Sequence, residues 1–318
     1  ECKKKILIRK PNGSETYVDY DVLIGADGIR SVVRSAFIQN ERMFECKTSD
    51  IFNRFKFLHL DRTEAITPGS THILADCLPK MSGIGLPEKS GKINIGIGHY
   101  RNEEIAKEML SDNADEVEAY LRQHWKNFGG INYRDAAEQW VNQPWSSTGQ
   151  VHCNFYHSET LSALLIGDAA HATSPALGMG MNTALADAYT INELLDESKD
   201  DWTKVLPTFS KERVKEGRAL TDMSYYLFSM SQSQQLKFMI LDIIREELHK
   251  IFPFIGRAPQ ASIALGKKLS EVYNEMNQRG VLESIRKTND TIRREWEEEQ
   301  WGMVKNRPKK SMLTPAVV

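Results

Sequence analysis

Asp168 stands one residue after Gly167 at the end of an apolar run, Leu164–Ile166, and Pro175, Gly178 and Gly180 follow within a dozen positions. That order of residue types suits one kind of chemistry. A carboxylate at the carboxyl end of a strand can accept hydrogen bonds from ligand hydroxyls. The glycines let a backbone come close to a flat or phosphorylated ligand. A helix that opens near Met181 and Asn182 would present free N–H groups and its positive dipole end to negative charge. His171 lies in the same stretch, and packing with hydrogen bonding is its expected role rather than proton transfer. No Gly-x-Ser-x-Gly elbow, His-Glu-x-x-His pair or convincing triad occurs, so no protein nucleophile, catalytic residue or metal ligand is expected.

The elements that must position these residues are a buried strand, a loop and a helix, the joint at which open α/β folds bind ligands. A second joint of the same kind lies about 140 residues earlier. There Val22–Ile24 reads as a strand, Gly25, Asp27 and Gly28 as a turn, and Ser31 as the cap of a helix that carries Arg34. Lys5–Ile8 and Thr16–Ile24 read as two strands around a Pro11-Asn12-Gly13 turn.

Taken whole, the string Gly167-Asp168-Ala169-Ala170-His171, Pro175, Gly178-Met179-Gly180-Met181-Asn182 resembles the second flavin-binding motif of the FAD-dependent aromatic hydroxylases typified by p-hydroxybenzoate hydroxylase. Gly25-Ala26-Asp27-Gly28, with Arg30, Ser31 and Arg34, resembles the other signature of that family. The resemblance implies that Gly167, Asp168, Pro175, Gly178, Gly180, Met181 and Asn182 bind FAD, Asp168 through a ribityl or ribose hydroxyl. It implies that Asp27, Gly28, Arg30 and Arg34 serve the pyrophosphate and NAD(P)H sides. It also implies hydroxylation of a small aromatic substrate with O2 through a flavin C4a-hydroperoxide. Epoxidases, halogenases and reductases share both motifs and remain alternatives, as does an inactive fragment.

Residues 218–231 and Glu247–Pro253 resemble the carboxyl-terminal helices of the kynurenine 3-monooxygenase family through Ala219, Asp222, Ser224, Tyr226, Leu248, His249 and Pro253. The positions that would touch substrate are Leu227 and Phe228, where that family has Asn and Tyr. An apolar pair there no longer suits a zwitterionic amino acid, because buried polar groups need partners.

A Gly-x-Gly-x-x-Gly loop between a strand and a helix, the usual ADP-binding element, is not found. Gly83-Ile84-Gly85 and Gly96-Ile97-Gly98 have no helix after them. The expectation is therefore a carboxyl-terminal part of a longer enzyme that on its own binds FAD weakly or not at all. The fold class is α/β: an incomplete FAD-binding Rossmann-like domain, an inserted mixed β-sheet substrate domain and a carboxyl-terminal helical region. The boundaries are 1–45 and 156–200 for the flavin domain, 46–155 for the sheet with one helical insert over Asp112–Phe128, and 201–318 for the helices.

Composition agrees with a globular chain: 318 residues, 41% hydrophobic, 26% charged. The net charge of −2 argues against general nucleic-acid binding, and the four cysteines lack metal-ligand spacing. No apolar run reaches the ~18 residues of a membrane span, and a cytoplasmic location is expected. Gln234–Phe254 is amphipathic. Core packing is the commoner use of such a pattern and peripheral membrane contact the rarer one.

Overall fold

The computed structural model describes residues 4–50, 53–100, 103–127, 129–226 and 230–305. In chain order the elements begin with β1 (Lys4–Arg9), β2 (Glu15–Tyr20), β3 (Leu23–Gly25), α1 (Val32–Asn40) and β4 (Cys46–Asp50). β5 (Asn53–Asp61), β6 (His72–Leu78), β7 (Met81–Pro87) and β8 (Lys92–Tyr100) follow, then α2 (Ala114–His124) and α3 (Tyr133–Val141). Next come β9 (Gly149–Cys153), β10 (His157–Ser158), β11 (Ala163–Leu165), α4 (Asp168–His171) and α5 (Gly180–Ser198). The chain continues through α6 (Trp202–Tyr226), α7 (Gln232–Ile251), α8 (Pro259–Ala264), α9 (Leu269–Gln278) and α10 (Val281–Lys305). Residues 1–49 with 150–318 form one compact unit and residues 50–149 another.

In the first unit β11 runs parallel to β3, pairing Ala163 with Leu23 and Leu165 with Gly25, and β10 pairs on the other side of β11. Ala163, Leu164 and Leu165 are fully buried, as a strand covered on both faces requires. Phe37 of α1, Ile191 of α5 and Phe209 of α6 pack into the same core. The expected single strand over Thr16–Ile24 is two strands. β2 belongs to a hairpin with β1, while β3 joins β11, so Asp21 and Val22 carry the chain from one sheet to the other. Gly25 permits this packing: a Cβ there would lie 2.8 Å from Cβ of Val33 on α1.

The second unit is a four-stranded sheet in the order β5-β8-β7-β6. It is antiparallel throughout rather than mixed. Two-residue and four-residue links, with Lys80 and Gly91 at positive φ, return β7 beside β6 and β8 beside β7, while residues 62–71 carry the chain from β5 to the far edge. Ile93, Ile95 and Ile97 alternate inward on β8 and meet Leu58 and Leu60 of β5. Gly83 and Gly96 lie inside strands, and a Cβ on Gly83 would stand 2.3 Å from the Gly96 carbonyl. The expected single helical insert is two helices. α2 is capped by Asn113 and α3 by Asn132, whose side chains accept from Asp115 and Asp135 N–H.

From Trp202 the described chain is helical apart from short links. One side of α7 faces a cavity of about 370 Å3 lined by Phe238, Leu241, Arg245, Met276 and Arg279. The other side does not pack into a core: Leu236, Met239, Ile240, Ile243 and Ile251 are 46–70% exposed. Amphipathic periodicity marks an apolar face but not what covers it: none of the described residues of this helix is buried, so the core-packing expectation does not hold for it. Among the described residues no helix is long and apolar enough to cross a membrane.

Candidate functional site

The first motif builds a helix start. Asp27 Oδ2 accepts from the N–H groups of Val32 (2.6 Å) and Val33 (3.2 Å), and its Oδ1 accepts from Ser31 Oγ (2.6 Å). Ser31 Oγ in turn accepts from Arg34 N–H at 2.8 Å. Partial burial opposes the charge on Asp27, but these donors outweigh it and hold the carboxyl below its ordinary value. Arg34 is buried, and its guanidinium donates to the carbonyls of Ile29 and, at 2.8 Å, Ala169. That bond brings the two motifs side by side. Gly28 takes φ +78, which only glycine adopts freely, and Arg30 is exposed.

In the second motif, Gly167 follows β11 by two residues with φ +54, and a Cβ there would touch Ala184 Cβ at 3.2 Å. Asp168 is exposed at the start of α4, with Ala169, Ala170 and His171 buried behind it. Pro175 opens a short 3-10 turn that ends at Gly178, where φ is +68. Gly180 then begins α5, which no side chain caps. Thr183 N–H bonds the Met179 carbonyl at 2.9 Å, so the N–H groups of residues 180–182 precede the helical ladder. Met181, 74% exposed, and Asn182 flank them.

A buried charge network holds this turn from behind. Asp187 of α5 is fully buried and accepts from Gly167 N–H at 2.9 Å and Arg213 Nε at 2.7 Å. His171 Nε2 lies 2.7 Å from the same carboxylate. Burial alone would raise the Asp187 pKa, but His171, Arg213 and the Gly167 N–H together hold it below the ordinary value. Arg213 also donates to the Thr183 carbonyl. The strand end, α4, α5 and α6 are thus tied to one carboxylate. Gly217 of α6 lets that helix pass close by: a Cβ there would fall 2.0 Å from Tyr156 Oη and 2.9 Å from His171 Cδ2.

Asp187 is the residue that motif reading missed. Its signal is a lone acid amid small and apolar residues, Ala184-Leu185-Ala186 before it and Ala188 after it. Leu227 and Phe228 lie outside the described residues. Of their neighbours, Asp222 accepts from Tyr273 Oη at 2.8 Å, joining α6 to α9, and Ala219 is core.

The exposed face of the turn therefore offers a carboxylate on one side and an uncapped helix start on the other. Gly178 between them has open space where a Cβ would stand and allows close approach. Such a cradle suits a polyhydroxylated ligand with a flat, electron-accepting end. No His, Cys, Asp or Glu cluster among the described residues is placed to hold a metal ion.

Residues 4–224 match the family described as FAD binding domain. Violacein synthase of Chromobacterium violaceum is 28% identical over 283 residues, 86% of this chain and 64% of that protein. Kynurenine 3-monooxygenase of Legionella pneumophila is 28% identical over 79% of this chain and 55% of its own length. The chain thus spans between about half and two thirds of these curated relatives. Among solved structures, Klebsiella pneumoniae HpxO complexed with FAD and uric acid aligns with a TM-score of 0.53 at 18% identity. That alignment covers 90% of this chain and 64% of HpxO. PqsL from Pseudomonas aeruginosa, a probable FAD-dependent monooxygenase, aligns at 0.51 and 17% over 71% of this chain and 62% of its own. A match over residues 4–224, with both motif turns inside it, means that the chain belongs to the FAD binding domain family of aromatic-hydroxylase-type flavoproteins.

Proposed function

We propose that this chain is the flavin-edge and substrate-side part of an FAD- and NAD(P)H-dependent monooxygenase that hydroxylates a small aromatic compound with O2. The observation that carries this reading is the exposed Asp168 beside the uncapped start of α5. In this reading Asp168 accepts a hydrogen bond from a sugar-chain hydroxyl of FAD. The N–H groups of Gly180, Met181 and Asn182 face the end of the ring system that becomes negative on reduction. Gly178 allows the approach, Gly167 lets α5 pack against the strand end behind it, and Pro175 borders it. Asp27 and Arg34 shape the shelf through their internal bonds, and Arg30 is the exposed cation free to meet a phosphate. FAD, reduced by a nicotinamide, supplies the oxygen-transfer chemistry. The side chains here bind, orient and exclude water. The names of the relatives support the reaction class, and kynurenine itself is not favoured because Leu227 and Phe228 are apolar.

Titrating FAD with the full-length protein, which supplies the ADP-binding loop, read by fluorescence quenching, tests the site. Asp168→Ala should weaken FAD by roughly tenfold or more, since a bond to a charged acceptor is worth about 1.5–3 kcal/mol. Equal affinity in both proteins, with unchanged circular dichroism, would remove Asp168 from the site. NAD(P)H oxidation by the flavin-loaded full-length protein, measured across a panel of small aromatic acids and amines, tests the reaction. Stimulation by none of them overturns it.

A further inference from the structure

Cys46 opens β4 and Cys153 closes β9, and these two strands are paired. Just outside them the Asn154 N–H donates to the Glu45 carbonyl at 3.1 Å, and Glu45 N–H donates to Asn154 Oδ1 at 2.9 Å. Each cysteine is one residue from that bond, on opposite strands, so the two stand across from one another. Antiparallel positions next to a bonded pair approach to about 4.5 Å between Cα atoms, inside the roughly 4.4–6.8 Å that a disulfide spans. Both thiols are free in the structure. Cys153 and the Arg34 guanidinium are the neighbours that favour the Cys46 thiolate. Cys46 is partly exposed and Cys153 is buried.

We propose that Cys46 and Cys153 form a reversible dithiol–disulfide pair, with Cys46 the residue that reacts with hydroperoxides and Cys153 the residue that resolves it. The hydrogen bond from Cys153 and the positive charge of Arg34 support this by lowering the Cys46 thiol to about 6, against the effect of burial. Cys153 is raised, first by its bond to Cys46 and then by burial, so it keeps its proton until it resolves the intermediate. The Cys46 thiolate attacks one oxygen of hydrogen peroxide and the O–O bond breaks, giving a Cys46 sulfenic acid and hydroxide, which takes a proton from solvent. The Cys153 sulfur then attacks the Cys46 sulfur. The S–O bond breaks, and the departing hydroxide leaves with the Cys153 proton as water. Two thiols are oxidised and one peroxide is reduced to two waters. Cys77 is the internal control: it is fully buried, its Sγ donates to the Met81 carbonyl, and burial pushes its thiol up to about 11.

The proposal stands on strand pairing and is independent of the flavin reading. The reduced chain is treated with hydrogen peroxide at pH 7, the remaining thiols are blocked with N-ethylmaleimide, and the unreduced digest is analysed by mass spectrometry. The expected product is a peptide joining Cys46 to Cys153, released by dithiothreitol, with Cys77 alkylated only after denaturation. Cys153→Ser should instead yield a dimedone-reactive Cys46, and Cys46→Ser no linked peptide. Cys46 in the untreated chain should alkylate at least roughly tenfold faster than Cys77. A native chain that gives no Cys46–Cys153 peptide at peroxide levels that oxidise free glutathione overturns the proposal, as does linkage mainly to Cys2 or Cys77.

Discussion

Asp187 shows how one buried carboxylate sets the geometry of an exposed turn. It accepts from a backbone N–H, an arginine and a histidine on separate segments, so removing its charge leaves the largely enclosed Arg213 guanidinium without its counter-ion. Breaking such a pair costs about 3–5 kcal/mol. Asp187→Asn should therefore lower the urea midpoint at pH 7 strongly. Because the folded carboxyl is held below its ordinary value, its contribution is complete above the unfolded Asp value of about 3.9. It is lost as pH falls through the folded value. The gap between wild type and Asp187→Asn should thus narrow in acid; a constant gap down to low pH would show that the charge is not what matters. At this scale the motif residues were legible because glycines and acids at fixed spacing have few other uses. Asp187 was not, since an acid within a helix usually faces water and only the fold shows that this one is enclosed.

Helix starts and crossings are where the elements acquire their positions. Ser31 both caps α1 and receives support from Asp27, so Ser31→Ala should cost about 1 kcal/mol in chemical denaturation, and an unchanged midpoint would assign the cap to Asp27 alone. Gly217 sets the crossing of α6 over Tyr156 and His171. Gly217→Ala should destabilise by about 1–3 kcal/mol through overpacking. Combining it with Tyr156→Phe, which removes the oxygen that the new methyl meets first, should restore part of that loss in a double-mutant cycle. Purely additive effects would show that the contact is not the cause. The capped helix α1 and the alternating strands β5 and β8 could be read in advance, because Ser31 and the isoleucines of β8 leave local marks. α3 could not: its inward stripe is Ala136, Ala137 and Trp140 over nine residues, too short and too weakly apolar to stand out. The separation of β2 from β3 was equally hidden, since it depends on a partner strand that begins at Ala163.

Across the whole molecule, legibility falls further, because pairings such as Leu23 with Ala163 are decided by long-range contacts. The order β10-β11-β3 leaves β3 with a strand neighbour on one side only among the described residues, an edge able to accept another strand. The uncovered stripe of α7 has a practical consequence. Leu236, Met239, Ile240 and Ile243 recur at helical spacing on one exposed face, and a surface of that kind clings to apolar supports. On a phenyl-substituted resin the chain should elute late in a falling ammonium sulfate gradient. Ile240→Lys with Ile243→Lys should bring it off early without altering its melting, and late elution of that double variant would place the stickiness elsewhere.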